Sequence, residues 1–235
     1  MSLVLLFIFF FVHQLSAQPV SFPFNSPWQF RKTTETKWYK AEVPGTVHTD
    51  LLANKLIPDP FYRDNEKQVQ WVEKEDWEYK TAFKLSPGLL RKKNIELVFD
   101  GLDTYAAVYL NGVLILAADN MFRQWKVNVR HLLSKGSNEL KIIFTSAARH
   151  DDAFAARDSI KLAGENNRMY SRKAQYLYGW DWGPRLVTCG IWKPIRWEYE
   201  NENENENPFV PAPVKGRWAV DLVTKPDSIG RAFYF

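Results

Sequence analysis

A period of two is the feature that most constrains this chain. Across residues 77–85 (Trp-Glu-Tyr-Lys-Thr-Ala-Phe-Lys-Leu) the odd positions are mostly apolar and the even ones mostly polar. Successive side chains of a strand point to opposite faces, so this pattern lays one face on a core and leaves the other in water. Ile95, Leu97 and Phe99 alternate with Asn94 and Glu96 in the same way, while residues 105–110 are apolar on both faces and read as a central strand. Asn111-Gly112 follows and supplies two residues that tolerate positive φ, as a two-residue hairpin turn requires. Further strands are expected at 125–129, 138–145 and 191–199. Helical signals are confined to 46–54, after the Pro44-Gly45 break, and to 149–163. Many short strands separated by turn residues indicate an all-β antiparallel sandwich or jelly roll with one or two short helices.

The composition agrees with one buried core. Of 235 residues, 46% are apolar and 25% charged, which excludes wholesale disorder. The net charge is +4, but the longest basic run, Arg91-Lys92-Lys93, sits between two strand-like segments and reads as a solvated turn. Without a basic stripe interleaved with aromatics, no nucleic-acid partner is expected. Residues 3–12 form an apolar run too short to span a bilayer, which takes about 20 residues. Leu15-Ser16-Ala17 then offers a cleavage site, so residues 1–17 read as a signal peptide into the secretory pathway, ending in the lysosome or outside the cell. No later segment approaches transmembrane length, and no membrane span is expected.

The jelly roll is expected over 21–200. Residues 201–207 read Asn-Glu-Asn-Glu-Asn-Glu-Asn, a polar tract that cannot offset its own ordering by burial, and a linker over 201–214 follows, stiffened by Pro208, Pro211 and Pro213. Residues 215–235 begin with one strand-like stretch and are expected to start a second domain.

Little of the usual catalytic chemistry is present. Four scattered histidines and one cysteine give no metal-ligand spacing, so neither a metal site nor a zinc-dependent reaction is expected. No glycine-rich loop joins strand to helix, which leaves cofactors without a phosphate cradle, and no Gly-x-Ser-x-Gly elbow anchors a hydrolase triad. Cys189, lacking an internal partner, reads as a buried thiol, and His48 as a histidine bonding a nearby turn, with a functional role as the alternative.

One segment stands apart: Tyr176-Leu177-Tyr178-Gly179-Trp180-Asp181-Trp182-Gly183-Pro184. Its glycines and proline suit a fixed loop better than an interior strand. Such a loop presents Asp181 between two indoles. A carboxylate accepting sugar hydroxyls, beside indole faces against the C–H surface of the ring, makes a workable saccharide contact. Equally open is a loop whose two Trp plug the sandwich edge while Asp181 accepts backbone amides.

The chain resembles the β-mannosidases of glycoside hydrolase family 2 from about Trp28 to Tyr199. The resemblance rests on Val43-Pro44-Gly45-Thr46-Val47-His48, Ile57-Pro58-Asp59-Pro60-Phe61-Tyr62-Arg63 and Gly101-Leu102-Asp103-Thr104. It continues through Asp119-Asn120-Met121-Phe122, Arg172-Lys173-Ala174-Gln175, the Gly179–Pro184 loop and Gly190-Ile191-Trp192-Lys193-Pro194. The resemblance implies a galactose-binding-like N-terminal jelly roll whose loop of Trp180, Asp181 and Trp182 reaches the pocket and contacts terminal mannose. It also implies an immunoglobulin-like domain and a (β/α)₈ barrel as partners elsewhere in such enzymes, the barrel holding both catalytic glutamates. A barrel takes about 250 residues, so no acidic residue here inherits a catalytic role and the isolated chain is expected to be inactive. The implied activity is retaining hydrolysis of terminal β-linked mannose from N-glycan-derived oligosaccharides, as part of glycoprotein catabolism. A stand-alone lectin-like carbohydrate-binding module and an inert fragment are the competing readings.

Overall fold

The computed structural model describes residues 19–159 and 167–200. The expected signal peptide, linker and second-domain start lie outside these residues, as does the stretch 160–163 of the second expected helix. Among the described residues ten strands form two antiparallel sheets. In chain order they are β1 (Val20–Pro23), β2 (Trp28–Lys32), β3 (Tyr39–Ala41), β4 (Trp77–Phe83), β5 (Ile95–Phe99), β6 (Tyr105–Leu110), β7 (Val113–Asp119), β8 (Trp125–Asn128), β9 (Asn138–Thr145) and β10 (Ile195–Tyr199). One sheet runs β1-β10-β5-β8 and the other β3-β2-β4-β9-β6-β7. Non-sequential neighbours in both sheets are the mark of a jelly-roll-like sandwich.

The alternation seen in the sequence decides which residues meet in the middle. From β4, Trp77, Tyr79 and Phe83 are buried; β9 adds Leu140, Ile142 and Phe144, and β5 adds Ile95, Leu97 and Phe99. Each such side chain contributes about 2–3 kcal/mol by leaving water. Aromatic contacts link the two sheets: Trp197 of β10 stacks on Phe24 at 5.4 Å and meets Phe83 of β4 at 5.5 Å. The outer face of the larger sheet is charged. There Glu78 of β4 takes Arg31 of β2 at 2.7 Å and Lys141 of β9 at 3.7 Å, an ion-pair row across three strands.

The Asn111-Gly112 turn joins β6 to β7 with φ of +51° and +83°, as expected. Strand β6 lies between β9 and β7, an interior position. Two expected boundaries shift. The strand expected over 191–199 starts at Ile195, because Pro194 brings no N–H to a ladder. The second helix, α3 (Ala147–Arg157), is capped by Ser146, whose hydroxyl accepts from the Arg149 N–H at 3.1 Å. The first, α1 (Val47–Ala53), is capped by a box in which Thr46 and Thr49 bond reciprocally. A further short helix, α2 (Pro87–Leu90), and a 3₁₀ helix at Asn65–Lys74 were not foreseen. Among the described residues no helix is long and apolar enough to cross a membrane.

Candidate functional site

The Trp-Asp-Trp segment is a tight turn held from behind. A short 3₁₀ turn, Gln175–Tyr178, leads into Gly179 at φ +85°, where a side chain is disfavoured. The Trp180 N–H then donates to the Gly183 carbonyl at 3.0 Å and the Gly183 N–H to the Trp180 carbonyl at 3.2 Å. Asp181 and Trp182 form the tip of this miniature hairpin. Its base is closed by the Leu186 N–H, which donates to the Leu177 carbonyl at 3.0 Å.

Trp180, Asp181 and Trp182 all face solvent: Trp180 is 58% exposed, Trp182 78%, and Asp181 is exposed as well. The edge-plug alternative required buried indoles and an Asp181 that accepts backbone amides. Neither is found, since Asp181 makes no hydrogen bond among the described residues. Exposing two tryptophans costs apolar burial, so the turn needs other anchors.

Arg185 supplies the main one, a role not foreseen from sequence. Its guanidinium meets Glu73 at two points, Nε to Oε2 at 2.9 Å and Nη2 to Oε1 at 3.0 Å, and also donates to the Tyr178 carbonyl. The Arg185 N–H donates to Glu66 at 2.7 Å and its carbonyl accepts from Gln70 at 2.8 Å. Glu66, Gln70 and Glu73 all belong to the 3₁₀ helix Asn65–Lys74, so one unpredicted element clamps the exit of the turn. On the entry side, the Tyr178 hydroxyl donates to the fully buried Asp151 at 2.6 Å, and Ser171 donates to the other oxygen of the same carboxylate. Burial, reinforced by that bond, raises the Tyr178 phenol. The Arg168 guanidinium covers one face of Trp180 at 5.1 Å, a cation–π contact that orients the indole.

The other motif segments, except residues 57–63, bond to one another as a frame. Lys173, fully buried, donates to both oxygens of buried Asp103 and to the Thr188 carbonyl at 2.7 Å. Asp103 and Gly190 exchange backbone hydrogen bonds at 2.9 and 3.0 Å. The Trp192 indole donates to the Met121 carbonyl at 3.0 Å and packs so tightly on Gly101 that a Cβ there would lie 2.5 Å from its Nε1. The Gly45 and Val47 N–H groups donate to the Ile191 and Cys189 carbonyls at 2.9 and 2.8 Å. The buried His48 Nδ1 has no hydrogen-bond partner among the described residues, and burial followed by the charge of Lys173 lowers the imidazole to about 4. Burial likewise raises the Cys189 thiol, so it is no nucleophile at neutral pH. Among the described residues no group of three or more His, Cys, Asp or Glu is placed to hold a metal.

Two facing antiparallel sheets in this strand order make the chain a β-sandwich of the galactose-binding-like class. Sequence comparison is more specific, because the glycosyl hydrolase 2 galactose-binding domain-like family matches residues 28–193, and the chain belongs to that family. It is 42% identical over 193 residues to a β-mannosidase B of Thermothelomyces thermophilus, covering 79% of this chain and 22% of that protein. With a β-mannosidase B of Neosartorya fischeri the figures are 40% over 186 residues, 75% and 22%. The crystal structure of a β-D-mannosidase from Dictyoglomus thermophilum superposes with a TM-score of 0.74 at 45% identity, over 78% of this chain and 23% of that one. A β-D-glucuronidase from the same organism, at 16% identity and a TM-score of 0.51, shares the fold. The chain thus spans 22% of the length of these β-mannosidase B relatives.

Proposed function

We propose that this chain is the N-terminal substrate-pocket domain of a retaining β-mannosidase, with Trp180, Asp181 and Trp182 contacting the terminal mannose. The observation that carries the reading is the exposed Trp-Asp-Trp turn, braced on both sides, whose carboxylate makes no hydrogen bond among the described residues. Asp181 accepts hydroxyl protons from the sugar and the indoles cover its C–H face. It positions substrate; the acid/base and nucleophile come from a barrel domain such as the longer relatives have room for. Working carboxylates of that kind stand about 5–5.5 Å apart. The substrate is terminal β-linked mannose on N-glycan-derived oligosaccharides, and the apolar run at 3–12 ahead of Ala17 supports a secretory or lysosomal setting.

The test is a chimera: residues 28–193 replace the matching region of the Dictyoglomus β-mannosidase, and hydrolysis of a chromogenic β-mannoside is followed. The chimera is expected to be active. Asp181→Ala in it is expected to lower kcat/KM by about 100-fold, the scale of one lost charge-assisted hydrogen bond together with its orienting effect. An active chimera indifferent to Asp181→Ala and Trp182→Ala would remove the loop from the pocket.

A further inference from the structure

A concave feature borders the helix that clamps the Trp-Asp-Trp turn, since Trp71 of that helix lines it. Between β2, β3 and the 3₁₀ helix Asn65–Lys74 is a hollow of about 160 Å³, walled by Phe30, Tyr39, Trp71 and Trp77, with Lys32 and Glu35 at the same site. Trp71 is 40% exposed, whereas Trp77 and Phe30 behind it are 3% and 0% exposed. The walls are already packed: Trp71 against Trp77, Phe30 against Trp77, and Phe30 against Tyr39 each lie at 6.0 Å between ring centroids. The Trp77 indole N–H is committed to the Val72 carbonyl at 3.1 Å, so Trp77 offers the hollow only apolar surface.

We infer that this hollow is a second saccharide subsite, taking one neutral pyranose ring against Trp71. The charges decide between classes of occupant. Lys32 Nζ lies 3.3 Å from Glu35, 3.8 Å from Glu75 and 5.7 Å from the Trp71 ring centroid. Two carboxylates disfavour an anion, and the ammonium between them disfavours a cation. An apolar side chain from another protein would desolvate this pair and return no hydrogen bonds. A polyol does return them, its hydroxyls donating to the carboxylates and accepting from the ammonium, while its C–H face meets the exposed part of the Trp71 indole beside the Lys32 ammonium that lies over the ring. The hollow is below the ~300–1,000 Å³ of pockets for drug-sized molecules, so one ring enters and the rest of a glycan stays in water. Preformed aromatic walls keep the ordering cost low. Trp71 lines the hollow, while Glu66, Gln70 and Glu73 of the same helix hold Arg185. The inference stands independently of the role proposed for the turn.

The experiment uses the ¹⁵N-labelled 235-residue chain, with indole N–H signals assigned by Trp→Phe variants and titrated with methyl β-mannoside. The Trp71 indole signal is expected to shift saturably. Trp71→Ala and Lys32→Met are each expected to weaken binding about tenfold, as loss of one stacked ring or one charged donor implies. Trp182→Ala is expected to leave the Trp71 shift unchanged. Lys32→Met keeps the aromatic walls, so it decides the matter if Trp71→Ala fails to fold. A Trp71 signal that stays still at millimolar sugar, or moves equally in Lys32→Met, would overturn the subsite. Movement confined to Trp180 and Trp182 overturns it too, and leaves the pocket role of the turn intact.

Discussion

Arg185 and Glu73, 112 residues apart in sequence, meet as a two-point ion pair at 2.9 and 3.0 Å, and that pair fixes where the Trp-Asp-Trp turn stands. Glu73 is nearly buried, its side chain 6% exposed, and its backbone carbonyl also accepts the Ser146 hydroxyl. The 3₁₀ helix, the cap of α3 and the turn are therefore one connected unit.

Removing the guanidinium leaves the nearly buried Glu73 carboxylate with only the half-exposed Lys74 ammonium, 3.5 Å from its Oε1. Arg185→Met is expected to lower unfolding free energy by about 2 kcal/mol, reduced from the fully buried case because Arg185 itself is 22% exposed. Urea unfolding measures the loss, and fluorescence anisotropy of the exposed tryptophans is expected to fall as the turn loosens. A loss with unchanged anisotropy would mean that the turn is held by its own hairpin bonds alone.

Lys173 and Asp103 form a drier pair, with side chains 0% and 1% exposed. Lys173→Met leaves Asp103 charged and buried and is expected to cost about 3–5 kcal/mol, whereas adding Asp103→Leu is expected to recover much of that. Urea midpoints of the two single variants and the double one complete the cycle. Additive losses would show that the two groups are satisfied separately by backbone.

How much of this was legible in advance depended on the range of the forces involved. Strands β4, β5, β6 and β9 announced themselves, because burial of one face is written as a period of two, and Asn111-Gly112 announced its own turn. The short strands β2 and β3 and the 3₁₀ helix Asn65–Lys74 did not: β3 is three residues long, too few for an alternation, β2 alternates only through Trp28 and Phe30, and a helix without a side-chain cap leaves no start signal. At the site, the residues that face outward stood out as an odd composition of Trp, Asp and Gly. Their supports, Arg185 with Glu66, Gln70 and Glu73, are joined only by a fold that closes a gap of more than a hundred residues. No local pattern encodes that.

Asp50 and His48, two positions apart on α1, pull stability in opposite directions with pH. Burial raises the Asp50 carboxyl from 3.8 to about 6, against the bonds it accepts from the Glu42 N–H and the Tyr79 hydroxyl. Folding therefore holds that proton more tightly, and the contribution is full below pH 3.8 and lost as pH rises to about 6. His48, lowered from 6.5 to about 4, contributes fully above pH 6.5 and loses its contribution as pH falls to about 4. Each effect is worth about 3 kcal/mol at full extent, so they largely cancel between about pH 4 and 6. Asp50→Asn is expected to leave stability climbing with pH across that window, and His48→Gln to leave it falling. Urea midpoints at several pH values read both slopes, and parallel profiles in the three proteins would contradict the assignment.

Gly179 gives the most local test of the turn. At φ +85° an L side chain is strained, and a Cβ there would lie 3.0–3.2 Å from the Cβ, Cα and N of Arg185, so neither torsion nor space favours alanine. Because the crowding falls on the backbone of Arg185, relief has to come from shifting the residue that Glu66, Gln70 and Glu73 all hold. Gly179→Ala is expected to cost about 1–2 kcal/mol, more than the entropy that alanine gains back from the unfolded chain. The loss is expected to appear as faster hydrogen exchange at the N–H groups of Trp180, Gly183 and Leu186, with the sandwich strands unchanged. Exchange accelerated evenly through β4, β9 and β5 as well would mean that the turn unfolds only with the whole domain, and that the clamp on Arg185 is as strong as the core.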